Sequence, residues 1–127
     1  MLCDSATDYG GRLCILGAFD ALFARQFPVT HPVCALALRL CFFAEDEGEM
    51  KLGIRLMNAD GHPVTPPIEP RVNIQLGNDV SFMTRNLILN LQGLTFPKAG
   101  EYALQIACNG ESLVELPLRL VEVAGEP

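Results

Sequence analysis

Apolar and polar side chains alternate along most of the chain, a period of two that is typical of strands with one face on a core. Between residues 50 and 56 the even positions are apolar, whereas Lys51 and Arg55 lie between them. The same alternation occurs at 71–76 and at 101–108. Because three separate segments share it, we expect an all-β fold.

The run 33–43 differs, because both of its faces are largely apolar. This favours a central or doubly covered strand. Only Arg39 interrupts the second face, so we expect a loop or another subunit to cover that face. A helix is the competing interpretation, because periodicity alone cannot assign a short apolar run. We expect a hairpin partner at Met50, which favours the strand.

Turn residues occur where these strands end. Asn109-Gly110 lies between two alternating runs and predicts a hairpin, because both central residues of a type I′ turn require positive φ. Four prolines between 63 and 70 predict an extended loop. Pro117 in the last strand predicts a position at a sheet edge.

One segment departs from the β pattern. Phe19, Leu22 and Phe23 would share one face of a helix, and Pro28 would end it. We therefore expect one short helix near residues 19–26, held by packing, whose aromatic face closes an open end of the fold.

Length and charge narrow the class of protein. A chain of 127 residues is the size of one domain, and we expect residues 1–127 to form it. Its 15 acidic and 9 basic side chains give a net charge of -6. Such a charge repels nucleic-acid backbones and anionic lipid surfaces, so we expect no nucleic-acid partner and no membrane partner.

The cysteines indicate a location. Five cysteines are an odd number without paired spacing, so at least one is free in a monomer, which favours a reducing compartment. The first residues lack the basic region and long apolar run of a signal peptide. We expect a cytoplasmic protein.

Candidate chemistry is sparse. His31 and Cys34 carry ligand-type side chains three residues apart, but structural zinc requires three or four converging ligands. The acidic run 45–49 is too short for an EF-hand calcium loop and reads as a solvated turn. No cysteine has the base and electropositive setting of a nucleophile. We predict no catalytic residue, no cofactor and no metal.

The segment Lys98–Leu104 resembles the start of the sixth strand of immunoglobulin-like domains, with Tyr102 in the place of the corner tyrosine. Leu104 stands where those domains have their second disulfide cysteine, and the chain has no tryptophan. The resemblance implies an antiparallel immunoglobulin-like β-sandwich without the antibody-type disulfide.

A longer resemblance covers the whole chain and is clearest before Phe43. The chain is similar to an uncharacterised family of short bacterial proteins with a domain of unknown function. The segments that carry the resemblance are Cys3-Asp4, Ile15–Asp20, Phe27-Pro28, His31-Pro32 and Ala37–Leu40. It implies a bacterial β-sandwich and supplies no activity or site.

These observations predict an all-β, antiparallel immunoglobulin-like sandwich of seven to nine strands with one short helix. We expect a non-catalytic protein-interaction or assembly module. The candidate partner-binding residues are Phe19, Asp20, Phe23 and His31, where aromatic side chains crowd a connection that would ordinarily be polar. The alternative is that the phenylalanines only close the core.

A homo-oligomer is a second expectation. Self-association would use the apolar face around Val33, Ala35 and Phe43, or the edge near Pro117. The alternative function is a small hydrolase or a small-ligand-binding protein with a site between the sheets or near the helical cap.

Overall fold

The fold consists almost entirely of extended segments. The computed structural model describes residues 1–124. Its strands are β1 (Leu2–Tyr9), β2 (Arg12–Ala18), β3 (Ala21–Ala24), β4 (Val29–Phe43), β5 (Gly48–Asn58), β6 (Arg71–Ile74), β7 (Phe82–Phe96), β8 (Gly100–Cys108) and β9 (Glu111–Glu122). Within that described range the one helical element is a 3-10 turn, Ala44–Asp46.

The strands form two sheets. One has the order β2-β1-β4-β7 and the other the order β3-β9-β8-β5-β6. Neighbouring strands are antiparallel, except that β3 runs parallel to β9. The prediction of an all-β fold is confirmed, and nine strands fall within the expected range.

The core lies between the two sheets and is built from the predicted alternation. Even-numbered residues of β4, from Cys34 to Phe42, turn toward β5 and β8, where Ile54, Leu104 and Ile106 are at most 4% exposed. Both sheets contribute to the same cluster of buried side chains. Burial of these faces therefore holds the two sheets together.

The middle of the second face of β4 is covered by the chain itself, whereas Val33 and Phe43 toward its ends are 57% and 47% exposed. β1 pairs with β4 through only two residue pairs, and the β1–β2 hairpin then lies over the outer side of β4 and β7. There Cys3, Ala35 and Ala37 are buried, with Leu13 and Ile88 packed beside them. The expected cover is thus a hairpin of the same chain.

Polar contacts fasten the tip of this hairpin. The Arg39 guanidinium donates to the Gly11 carbonyl at 3.0 Å and to Asn86 Oδ1 at 2.8 Å. Asn86 Nδ2 donates to Asp8 Oδ2 at 3.0 Å. This hydrogen bond and the one from the Gly11 N–H lower the pKa of the Asp8 carboxyl. Arg39, the charge that interrupts the apolar face, therefore anchors the hairpin.

The expected helix near residues 19–26 is absent, and that prediction is wrong. Ala21–Ala24 form β3, which pairs in register with Arg119–Glu122 of β9. Leu22 packs against the core, whereas Phe23 is 65% exposed. A helix of one or two turns leaves most of its backbone N–H and C=O groups without a hydrogen-bond partner. An extended segment instead forms backbone hydrogen bonds with the edge of β9 that faces it.

The expected hairpin between 33–43 and the strand near Met50 is also wrong. The first segment is a strand, β4, as predicted, but β5 pairs with β6 and β8 in the opposite sheet. The 3-10 turn carries the chain across the core, and Asp46 Oδ2 accepts the Phe43 N–H at 2.8 Å there. An alternating pattern indicates which face of a strand is buried, but it does not determine which strand pairs beside it.

Other turn predictions are confirmed. Asn109 and Gly110 have φ values of 51° and 85° and join β8 to β9. The proline-rich segment runs beside β5, where the Val64 N–H donates to the Leu56 carbonyl at 2.8 Å and Ile68 exchanges two bonds with Ile54. The Pro70 carbonyl also accepts the Leu52 N–H at 2.9 Å, so this segment closes most of the outer edge of β5.

Tyr102 contacts the turn that precedes its strand. Its hydroxyl donates to the Lys98 carbonyl at 2.6 Å, four residues upstream. Its ring meets Phe96 edge to face, with centroids 5.1 Å apart. The start of β8 is thereby tied to the turn that precedes it.

The Tyr102 hydroxyl provides the first test. We expect Tyr102→Phe to lower the free energy of unfolding by about 1 kcal/mol, because a partly buried carbonyl loses its donor while the ring stays packed. Denaturant unfolding measures this loss. The matched control is Tyr9→Phe, whose ring is 73% exposed and whose removal of a hydroxyl should change little. Equal losses in the two variants would contradict the assigned role.

A second test concerns the hairpin tip. Because the native pKa of Asp8 is lowered, its carboxylate stabilises the folded tip fully above about pH 4. This stabilisation is lost as the pH falls through the native pKa. We expect Asp8→Ala to reduce amide-exchange protection of the hairpin severalfold at pH 6 and to match the unmodified protein near pH 2. Asp79→Ala is the control, and a difference that persists at low pH would contradict the role.

Candidate interaction surface

Two of the four candidate residues lie together and point inward. The rings of Phe19 and His31 are 5.8 Å apart and inclined at 58°. Phe19 is partly buried against the main core. The Nε2 atom of His31 is buried and has no hydrogen-bond partner within residues 1–124. This pair closes the fold near the start of β4, as the core alternative predicts for Phe19.

The other two candidates face solvent. Asp20 is exposed immediately before β3, and its carbonyl accepts the Arg119 N–H at 2.9 Å. Phe23 is exposed on β3 itself. The structure therefore divides the predicted set into an inner pair and two surface residues.

The surface residues adjoin an open strand edge. β3 covers β9 only from Arg119 to Glu122, and over 111–118 no other described strand pairs with β9 on that side. Successive N–H groups of a strand point to opposite edges, so the Arg119 bond to Asp20 places the Glu115 N–H on the open side. Pro117 occupies the intervening position and lacks an N–H, which agrees with its predicted edge location.

Two shallow depressions flank this edge. One holds about 650 Å³ and lies on the outer side of β8 and β9, with Asp20, Glu101, Glu115 and Arg119 around it. The other holds about 480 Å³ between the β9 edge and the side chain of Phe19. Asp20 and Pro117 line both, so the two depressions adjoin; together we call them the groove, which three carboxylates and one guanidinium line.

One narrow gap lies between the sheets in the part of the chain that the structure describes. The gap enclosed between them holds about 20 Å³ and is lined by apolar side chains such as Leu91 and Leu104. This volume is about that of one water molecule. The helical cap proposed as another location does not exist.

Potential metal ligands are dispersed. No three His, Cys, Asp or Glu side chains converge within the described residues. His31 and Cys34 both belong to β4, but Cys34 is buried in the main core. The pair therefore reads as a core cysteine beside a partly buried histidine.

The sequence interpretation missed one feature of the surface, the 15-residue strand β7. It lies at the end of its sheet and pairs with β4 on one side only. Leucines at 87, 89 and 91 alternate with Ile88, Asn90 and Gln92, which is the signal that could have revealed the strand.

The cysteines divide by burial. All five are free thiols; Cys14 and Cys41 are exposed, whereas Cys3 and Cys34 are buried. Burial raises the pKa of the Cys3, Cys34 and Cys108 thiols, which disfavours their reactive thiolate forms.

Thiol labelling tests this division. In the native protein at pH 7.5 we expect N-ethylmaleimide to modify Cys14 and Cys41 within minutes and Cys108 more slowly. Cys3 and Cys34 should react only in denaturant. Peptide mass spectrometry locates each label, and a denatured sample serves as the control. Early labelling of Cys34 would show that the core is open.

Comparisons with known proteins identify a family only. Within the described range, no helix has the length and apolar character needed to cross a bilayer. No curated protein and no solved structure matched the chain. A family model described as a family of unknown function, DUF6941, matches residues 1–121. The chain therefore belongs to DUF6941, a family of unknown function.

Proposed function

We propose that this protein is a non-catalytic interaction module that binds an extended, cationic segment of a partner protein along the open edge of β9. The observation that carries the proposal is that β3 covers β9 over Ala21–Ala24 and that, among residues 1–124, no strand pairs with 111–118 on that side. Addition of a strand to such an edge is a recurrent mode of peptide recognition.

Backbone groups supply the first part of the interaction. On the open side, the Glu115 N–H and the carbonyl groups that alternate with it are available to a partner strand. Pro117 cannot donate there, so a continuous ladder ends before it. The partner segment would therefore occupy the edge between Glu111 and Leu116.

Charge selects the partner. Glu111 and Glu115 lie on the edge strand, and Asp20 and Glu101 line the adjoining groove. Arg119 is the one basic side chain that lines this groove. The net charge of -6 extends the negative field, which accelerates approach of a basic segment and repels an acidic one.

Apolar side chains supply the third part. Leu113 is 52% exposed and Val114 is 43% exposed, at a register shift between β8 and β9. Leu116 and Phe19 line the inner part of the groove. A partner strand with alternating apolar and basic residues would cover these side chains and meet the carboxylates.

An immunoglobulin-like arrangement of the sheets belongs to the same proposal. The parallel pairing of the short β3 with the last strand and the division of β4 and β5 between sheets support it. The hydrogen bond of Tyr102 to the turn before β8 also supports it, because a tyrosine corner is typical of such domains. We further propose that the protein is bacterial and cytoplasmic. The five free thiols support a reducing compartment such as the cytoplasm.

A synthetic peptide tests the proposal. The probe is a blocked eight-residue peptide of alternating lysine and valine, titrated into ¹⁵N-labelled full-length protein. We expect amide shifts at 111–118 and around Asp20, and binding that weakens with salt. A peptide with glutamate in place of lysine should not bind. A lysine–valine peptide whose backbone N–H groups along one edge are methylated should bind at least tenfold more weakly than the unmethylated peptide.

Charge reversal provides the matched comparison. We expect Glu115→Lys to weaken the lysine peptide at least tenfold, whereas Glu47→Lys, an exposed turn residue with the same change of net charge, should alter binding less than twofold. Equal losses in both variants, or shifts that map to another surface, would refute strand addition at β9.

A further inference from the structure

The open edge of β7 is the longest in the described fold. β7 spans 15 residues and forms 14 residue pairs with β4 on one side. Its other side faces no described strand. Half of its backbone groups over this length therefore have no ladder partner, a condition that favours pairing with another chain.

The other outermost strands in residues 1–124, and the open part of β9, each have a feature that limits pairing with a second copy. β3 and β6 are four residues long. β2 contains Gly17 at φ 70°, where a Cβ would lie within 2.5 Å of the Asp4 carboxylate. β9 is interrupted by Pro117 and carries two glutamates along its open part. Short length, kinks, proline and charge are the means by which proteins block edge pairing.

β7 lacks these features over its central part. Between Arg85 and Gly93 it has no proline, no carboxylate and no charge except that of Arg85 itself. Leu87 and Leu89 are only partly buried although they pack against the core. Gly93, at φ 64°, marks the end of the regular stretch.

We propose that β7 pairs antiparallel with β7 of a second copy of this chain, around a two-fold axis at Leu89. In this register Leu87 faces Leu91, and Asn86 faces Gln92. Leucines therefore meet on the core side, whereas on the outer side Asn86 meets Gln92 and Ile88 meets Asn90. Arg85 faces Gly93, which offers neither a like charge nor a side chain to clash with it.

Charge favours a second copy as the occupant. The chain carries -6 overall, so most of its surface repels another copy. β7 has no carboxylate among its 15 residues, and the Asp8 carboxylate that contacts Asn86 is close enough to Arg39 to be attracted by its charge, so acidic repulsion between two copies is weaker here than over most of the surface. The β9 edge, with Glu111 and Glu115, would repel itself and suits a cationic segment. The two edges thus differ in the partner that they fit.

The symmetry sets the size of the assembly. A two-fold contact uses the same edge of both copies and leaves neither β7 edge free. The two four-stranded sheets would join into one sheet of eight strands. A closed dimer, without further growth along this edge, is the expected product.

Charge-swap variants test the dimer. Asn90 and Gln92 are exposed on the outer side of β7. We expect the pair Asn90→Lys with Gln92→Lys, and separately the same positions changed to Glu, to weaken dimerisation at least tenfold, since like charges then crowd the axis. An equimolar mixture should recover the dimer. Sedimentation velocity on the full chain measures each state, and Gln26→Lys is the control.

The results of these experiments distinguish the proposed dimer from other states. The dimer should dissociate on dilution, and its formation should slow exchange at alternate amides of 86–92. A protein that remains monomeric at about 1 mM overturns the proposal, because this concentration is well above the dissociation constants of most specific dimers. A dimer that persists in both charged variants also overturns it, because the copies then meet elsewhere. Peptide binding at β9 is independent of these results.

Discussion

Burial of one face of β4 against β5 and β8 is the contact on which both sheets depend. Leu36 and Ile106 are fully buried, and they belong to opposite sheets within one cluster. Each sheet alone would expose a continuous apolar surface to water. Because β4 is also paired with β1 and β7, the same strand positions the outer hairpin and the open edge.

Local sequence patterns predicted the faces of the strands well. The alternation around β5 and β8 and the Asn109-Gly110 turn are confirmed, because each depends on a few adjacent residues. Pairing partners were harder to predict. β4 and β5 are adjacent in sequence and lie in different sheets, a choice that depends on chain segments far from either strand.

The failed helix prediction has the same origin. The spacing of Phe19, Leu22 and Phe23 fits a helical face, but β9 offers an unpaired edge to this segment from the far end of the chain. Tertiary hydrogen bonding then outweighs a weak local preference. Of the candidate site, Asp20 and the edge near Pro117 were foreseeable. The core alternative foresaw an inward Phe19, whereas the open side of β7 required knowledge of the pairing.

The β1–β2 hairpin has a consequence for divergence within the family. It is registered with β4 through two residue pairs and is fastened at its tip by Arg39 and Asn86. The alanines beneath it, Ala35 and Ala37, leave room for a close-lying cover. Because the turn at Gly10-Gly11 is exposed, we expect insertions and exchanges there to leave the buried layer between the sheets intact. The hairpin tip is thus the part of the fold that we expect to vary most freely.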